Sequence, residues 1–297
     1  MKGLMALLSA TLPARRVAAV PPHAFFLVSA VFHYLGPAFA VLLFVRVDVL
    51  GVAWLRIATA AAIFAVWRRP WRHLAALDAD GRRLLLAWGA VLAVMNACFY
   101  LAIDRLPLAT VAAIEFVPVI ALAAIGARTV RNALALVLAA GGVYTLTGVR
   151  IEGEPLAVGL ALANAVLFAL YIVLGHRVSR LRGMGGIDGL AGAMFVAALV
   201  ATPMAGWAAA PAFADPIALA AGAGVGIASS VIPYVCDQLA MACLARSSYA
   251  LLNSLLPATA TVIGIVVLAQ LPSVEELVGV GLVVAGVALH RAPQARG

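Results

Sequence analysis

Charge is scarce in this chain. Asp, Glu, Lys and Arg together make up 11% of its 297 residues, against about 25% in ordinary soluble domains. With 65% hydrophobic residues and a mean hydropathy of +1.10, a soluble fold has no interior large enough to hide so much apolar surface. Cysteine is also rare. Cys98, Cys236 and Cys243 lie in apolar segments, and their odd number and spacing fit neither a disulfide framework nor a zinc site; they read as small packing residues. There is no Walker-type glycine loop, no His-x-x-x-His and no Gly-x-Ser-x-Gly. ATP-driven pumping and hydrolytic chemistry therefore have no motif behind them, and no cofactor or metal is implied. An intramembrane enzyme needs a clustered nucleophile and base, whereas His33, His176, Cys236 and Asp237 are scattered.

Long apolar runs are what the chain has in quantity. Cut at charged or Gly/Pro-rich breaks, they give spans near 24–45, 49–67, 84–104, 108–127, 132–149, 156–175, 188–207, 217–243, 247–269 and 274–290, each of a length that serves to cross about 30 Å of hydrocarbon as a helix. The expected fold is an all-α membrane protein of ten transmembrane helices. With both termini and the even-numbered loops in the cytoplasm, sixteen Lys and Arg residues fall inside and three, Arg46, Arg105 and Arg150, outside. That asymmetry sets the orientation. It also accounts for the net charge of +8 without nucleic acid. The first residues resemble a signal peptide but place Arg15, Arg16, Pro21 and Pro22 after a short apolar segment, so 1–22 reads as a cytoplasmic leader.

The chain repeats itself. "FYLAIDRLPLATVAAIEFVPV" lies on "DQLAMACLARSSYALLNSLLPA" with Glu115 against Asn253 and, after one gap, Pro118 against Pro257; "LVLAAGGVYTL" lies on "VGLVVAGVALH". Each half then holds five spans, 23–150 and 151–291, followed by a cytoplasmic tail at 292–297. Five is odd, so the second copy crosses in the opposite orientation to the first. Inverted repeats of this kind place a binding site near the midplane, between the copies.

Polar groups inside the spans are the candidates for that site. A charge at a helix centre costs about 2.5–3.5 kcal/mol on insertion scales, so Glu115, Asp237 and Arg56 are expected to face the interior. Glu115 is placed to bind a substrate ammonium or to exchange a proton, or to be locked to Arg56 or a neighbouring backbone group as structural glue; Arg56 is placed to meet a substrate carboxylate, to snorkel to an interface or to pair with an acid. His33 sits near mid-span and titrates near neutrality when unperturbed. Asn96, Asn164, Asn253 and Gln238 serve either a polar path or helix-to-helix hydrogen bonds. Asn164, Phe168 and Tyr171 recur at i, i+4 and i+7, on one helix face. With Tyr100 and Tyr234 they offer aromatic walls that shield an apolar side chain and attract an ammonium. Pro37, Pro118, Pro233 and Pro257 each remove a backbone donor and are hinge candidates. The small residues of "GAGVGIASS", 222–230, read as packing.

The stretches "AAIEFVPVIA", "FALYIVLGHR" and "SSVIPYVCDQLAMACLARSSYALLNSLLPA" resemble the EamA family of the drug/metabolite transporter superfamily, in particular its threonine/homoserine-exporter branch. The most specific matches are Glu115 with Pro118, then Phe168, Tyr171, Gly175 and Arg177, then Pro233, Tyr234 and Asp237. The resemblance implies a ten-helix inverted-repeat carrier of the cytoplasmic membrane, exporting amino acids or related small metabolites by alternating access. Phe168 stands where such proteins commonly have tryptophan, and His33 and His176 where they have neutral polar residues. Drug-like, nucleotide or sugar cargo, and a membrane scaffold that transports nothing, are the alternatives. The expected partners are a small-molecule substrate, protons and membrane lipid.

Overall fold

In lipid no water satisfies the backbone, so an apolar chain of this kind closes its own hydrogen bonds as helices. The computed structural model describes residues 22–118, 121, 129–148, 154–181, 184–243 and 255–289. Among these there is no strand. In chain order the helices are α1 (Pro22–Leu43), α2 (Val49–Arg68), the short α3 (Pro70–Ala76), α4 (Ala79–Ile103), α5 (Leu108–Glu115), α6 (Val130–Gly148), α7 (Pro155–Val178), α8 (Gly186–Ala205), α9 (Pro216–Gly226), α10 (Ile232–Cys243), α11 (Leu256–Leu268) and α12 (Val274–Leu289). Between α8 and α9 the chain makes a 3-10 turn and a five-residue helix, and a π-helical turn, Ile227–Val231, joins α9 to α10. Among the described residues six helical segments are long and apolar enough to cross a membrane: Ala24–Leu43, Val49–Arg68, Ala79–Ile103, Pro155–Val178, Gly186–Ala214 and Pro216–Asp237. The proposed leader, the C-terminal tail and Asn253 lie outside the described residues, as do the side chains of Gln238 and Cys243.

Local sequence sets the helix ends. Asp48 and Asp78 accept from Leu50 N and Gly81 N at 2.9 and 2.8 Å, capping α2 and α4. Ser273 and Glu276 form a reciprocal capping box at the start of α12. Asp215 caps α9, and the N–H groups of Ala218 and Ile217, with Arg46, hold its carboxyl below the usual carboxylate range. Arg69, at φ 50°, ends α2 in the left-handed conformation, and Pro70 starts α3.

Helices pack across the two halves of the chain. α4 lies on α7 and α1 on α10, while α2 lies on α8, α5 on α11 and α6 on α12. The α6–α12 contact depends on glycine. A Cβ at Gly142 would come within 2.6 Å of the Gly279 carbonyl and 2.8 Å of Val283; one at Gly286 would come within 2.7 Å of the Ala135 carbonyl and 3.2 Å of the Ala139 Cβ. Two buried apolar clusters form the main core, one around Tyr34, Tyr100 and Ile114, the other around Phe64, Trp88 and Met194. Leu55 belongs to the first and Ile57 to the second, so Arg56 sits at the seam.

Candidate functional site

Glu115 is the last residue of α5, whose eight residues are all buried. The helix stops there because Phe116 turns, donating to Ala113 O at 3.3 Å. The side chain is 6% exposed. Asn164 Nδ2, from α7, donates to Glu115 Oε1 at 3.1 Å; Asn164 Oδ1 has no partner among the described residues. Nor has the buried Tyr34 hydroxyl, which lies within the electrostatic field of Glu115.

Arg56 in α2 is 8% exposed and does not snorkel. Its Nε donates to Ser230 Oγ at 2.8 Å, its Nη2 to the Ser229 carbonyl at 3.3 Å, and its guanidinium carbon stands 5.5 Å from the centre of the Tyr100 ring. The sequence explains that free carbonyl. Pro233 has no N–H to bond Ser229 O four residues earlier, and the helix widens into the π turn at this point, with Ile232 N–H reaching back to Ile227 O. Gly36 permits the fit, since any side chain there would collide with Ser229.

Around these two charges the structure gathers most of the expected residues. His33 contacts the Tyr34 ring at 5.4 Å and the Tyr234 ring at 6.2 Å, both edge-on. The field of Arg56 reaches His33, Tyr100, Glu115 and Tyr234. His33 and Tyr234 are both partly buried. Asp237 accepts the Ser29 hydroxyl at 2.6 Å, and the same hydroxyl lies 3.2 Å from the Pro233 carbonyl. No ion pair joins Arg56 to Glu115 among the described residues; the pairs present, such as Arg46–Asp215, Arg68–Asp188 and Arg105–Glu154, stand near helix ends. The two buried groups are thus not in direct contact.

The i, i+4, i+7 face of α7 carries three different contacts. Asn164 holds Glu115, Phe168 meets Phe116 edge-on at 6.3 Å and stacks on Tyr171 at 6.4 Å, and Tyr171 lies 5.3 Å from Trp88. Asn96 is set apart, its amide spent on the Ala53 carbonyl at 3.2 Å, stapling α4 to α2. Of the hinge candidates, Pro37 lies inside α1 and Pro233 next to the π turn. Pro118 follows the break at Phe116, and Pro257 is in the first turn of α11, where its missing N–H costs nothing. Ser29, Tyr34, Ser229, Ser230 and Phe116 are members that sequence reading missed. The one signal for the serine pair was its position four and three residues before Pro233.

A carboxyl and a guanidinium are thus buried where α1, α2, α5, α7 and α10 meet, with no ion pair between them among the described residues. Residues 155–291 match the model of the EamA-like transporter family. The threonine/homoserine exporter RhtA of Escherichia coli (strain K12) is 30% identical over 253 residues, 84% of each chain. The exporter of the same name from Salmonella typhimurium (strain SL1344) is 30% identical over 242 residues, 79% of each chain. This polytopic membrane protein therefore belongs to the EamA-like transporter family.

Proposed function

We propose that the chain exports small zwitterionic amino acids of the threonine and homoserine type across the inner membrane, by alternating access to the space between Glu115 and Arg56. The observation that carries this reading is the pair itself: a buried carboxyl and a buried guanidinium without a direct bond among the described residues. Each desolvated charge is costly alone. A zwitterion bound between them, ammonium toward Glu115 and Asn164 Oδ1, carboxylate toward Arg56, gives both charges a partner. Arg56 spends two of its donors on Ser229 and Ser230, out of the five that a guanidinium has.

Alternating access calls for two equivalent bodies, and the helix contacts support ten spans arranged as inverted repeats 23–150 and 151–291. Exchange α1 with α7, α2 with α8, α4 with α9–α10, α5 with α11 and α6 with α12: the α4–α7 contact becomes α10–α1, α5–α7 becomes α11–α1, and α2–α8, α5–α11 and α6–α12 map onto themselves. At α6–α12 the match extends to single residues. The alignment that pairs Gly142 with Gly286 also pairs Ala139 with Val283 and Ala135 with Gly279, so each glycine meets its counterpart's partners. Both termini lie in the cytoplasm in this reading. Proton exchange takes place at Glu115 when no ammonium occupies it.

Threonine counterflow in proteoliposomes tests the proposal. Wild type is expected to exchange threonine and homoserine and to accumulate them against a gradient when a pH difference is imposed; Glu115→Gln loses both. Full activity of Glu115→Gln removes that residue's role, and accumulation indifferent to the pH gradient excludes proton coupling.

A further inference from the structure

At the end of the bundle that carries Arg68, Arg177 and Arg180 there is a cavity of about 480 Å³, between α4, the last turns of α7 and the start of α8. Trp88, Tyr171, Gly175, His176, Ser179 and Gly189 are among the residues that line it. Its size is that of a small-molecule site, about 300–1,000 Å³. Glycine makes the room. A Cβ at Gly175 would stand 2.8 Å from Trp88 Cζ2, and one at Gly189 3.1 Å from Val178 Cγ1. The indole is thereby seated between α7 and α8, 6% exposed, its N–H without a partner among the described residues.

The cavity is tied to the candidate site. From its wall the aromatic contacts run Trp88 to Tyr171, Tyr171 to Phe168, Phe168 to Phe116, and Phe116 is the neighbour of Glu115. Among the described residues no carboxylate lines the cavity, while aromatic faces attract an ammonium weakly and shield an aliphatic side chain. A weak, fast-exchanging site at the cytoplasmic end is what a carrier loading from inside requires.

We infer that this cavity is a loading site, in which an amino-acid zwitterion rests against the Trp88–Tyr171 wall before passing Phe168 and Phe116 to Glu115. The inference rests on the exporter reading, and the α7 face is its track. Tyr171 supplies the aromatic face to the cargo, and Phe168 stacked on it is the constriction between the two sites.

The test uses the full-length chain with its three cysteines replaced by alanine and Ser179→Cys as reporter, in inside-out vesicles treated with a water-soluble maleimide. Threonine is expected to slow labelling, and to do so equally when Glu115→Gln is added, because the cavity does not depend on the deeper site. Protection that disappears with Glu115→Gln reports a change transmitted from that site and overturns the inference, as does labelling that threonine leaves untouched. Protection by anionic lipid but not by threonine assigns the cavity to a headgroup and overturns it too. In export assays Tyr171→Leu is expected to lower kcat/KM about fivefold, the scale of a partly desolvated cation–π contact, and Tyr171→Phe to restore it. Equal activity of the Leu and Phe variants counts against the aromatic wall. Should wild type move no threonine at all, the exporter reading fails; should it move threonine while the Ser179→Cys reporter stays unprotected, the loading site alone fails.

Discussion

Arg56 works in two directions at once, holding the π turn through Ser229 and Ser230 and setting its guanidinium over the Tyr100 ring. Only a planar, forked cation does both; a lysine ammonium is a point charge on a flexible stem. Arg56→Lys is therefore expected to raise the KM for threonine about tenfold, roughly one lost charge-assisted hydrogen bond, and to leave transport of threoninamide, which lacks the carboxylate, nearly unchanged. Kinetics on both substrates check this; an equal loss on the two assigns Arg56 to the fold alone. Glu115, Asp237, His33 and Arg56 could be picked out in the sequence because ionisable groups are rare within apolar runs. Tyr34 and the serines could not, since an uncharged side chain in a membrane helix has no compositional contrast, and its importance depends on which helix comes to lie beside it. For Asn96 the sequence left a polar path and a helix-to-helix hydrogen bond open, because an amide looks alike in both, and the structure shows the bond to the Ala53 carbonyl.

Among the elements, the α6–α12 pair shows how small residues replace the hydrophobic effect inside lipid. Lipid tails are as apolar as leucine, so these helices hold together by close backbone approach. Gly142 and Gly286 permit it, whereas a Cβ at Gly141 or Gly281 would meet nothing within 4 Å. Gly142→Val and Gly286→Val are expected to lower the melting temperature in detergent by similar amounts, on the scale of about 1–3 kcal/mol for overpacking. Gly141→Ala and Gly281→Ala leave it unchanged. A thermal melt of the four variants decides, and a large difference between the two valine variants counts against pseudo-symmetry. Helix positions follow from the apolar runs to within a few residues over much of the chain: 49–67 against Val49–Arg68, 188–207 against Gly186–Ala205. The π turn did not, because its cause is a proline acting on a carbonyl four residues away together with an arginine on another helix.

Across the whole molecule the two ends differ. At the end carrying Arg68, Arg177 and Arg180 the cleft between α4, α7 and α8 measures about 480 Å³. At the other, Gln270 Oε1 accepts the Leu108 N–H at 3.1 Å, tying the start of α5 to the loop after α11, and the nearby space is about 20 Å³, room for roughly one water. Arg46–Asp215 and Arg105–Glu154 bridge the same end, exposed and individually weak. In the exporter reading we propose, with this end facing outward, the Gln270–Leu108 junction is the place expected to part when cargo leaves. Pro107 and Leu271 both line the small space at this junction, so cysteines at the two positions, in a background without the native three, lie within reach of a short bismaleimide. Cross-linking Pro107→Cys to Leu271→Cys is expected to abolish threonine export while preserving the rise in melting temperature that threonine produces, since loading proceeds from the opposite end. Each single-cysteine variant treated with the same reagent continues to export. Undiminished export by the cross-linked protein means that this end does not move, and cargo then leaves by another route.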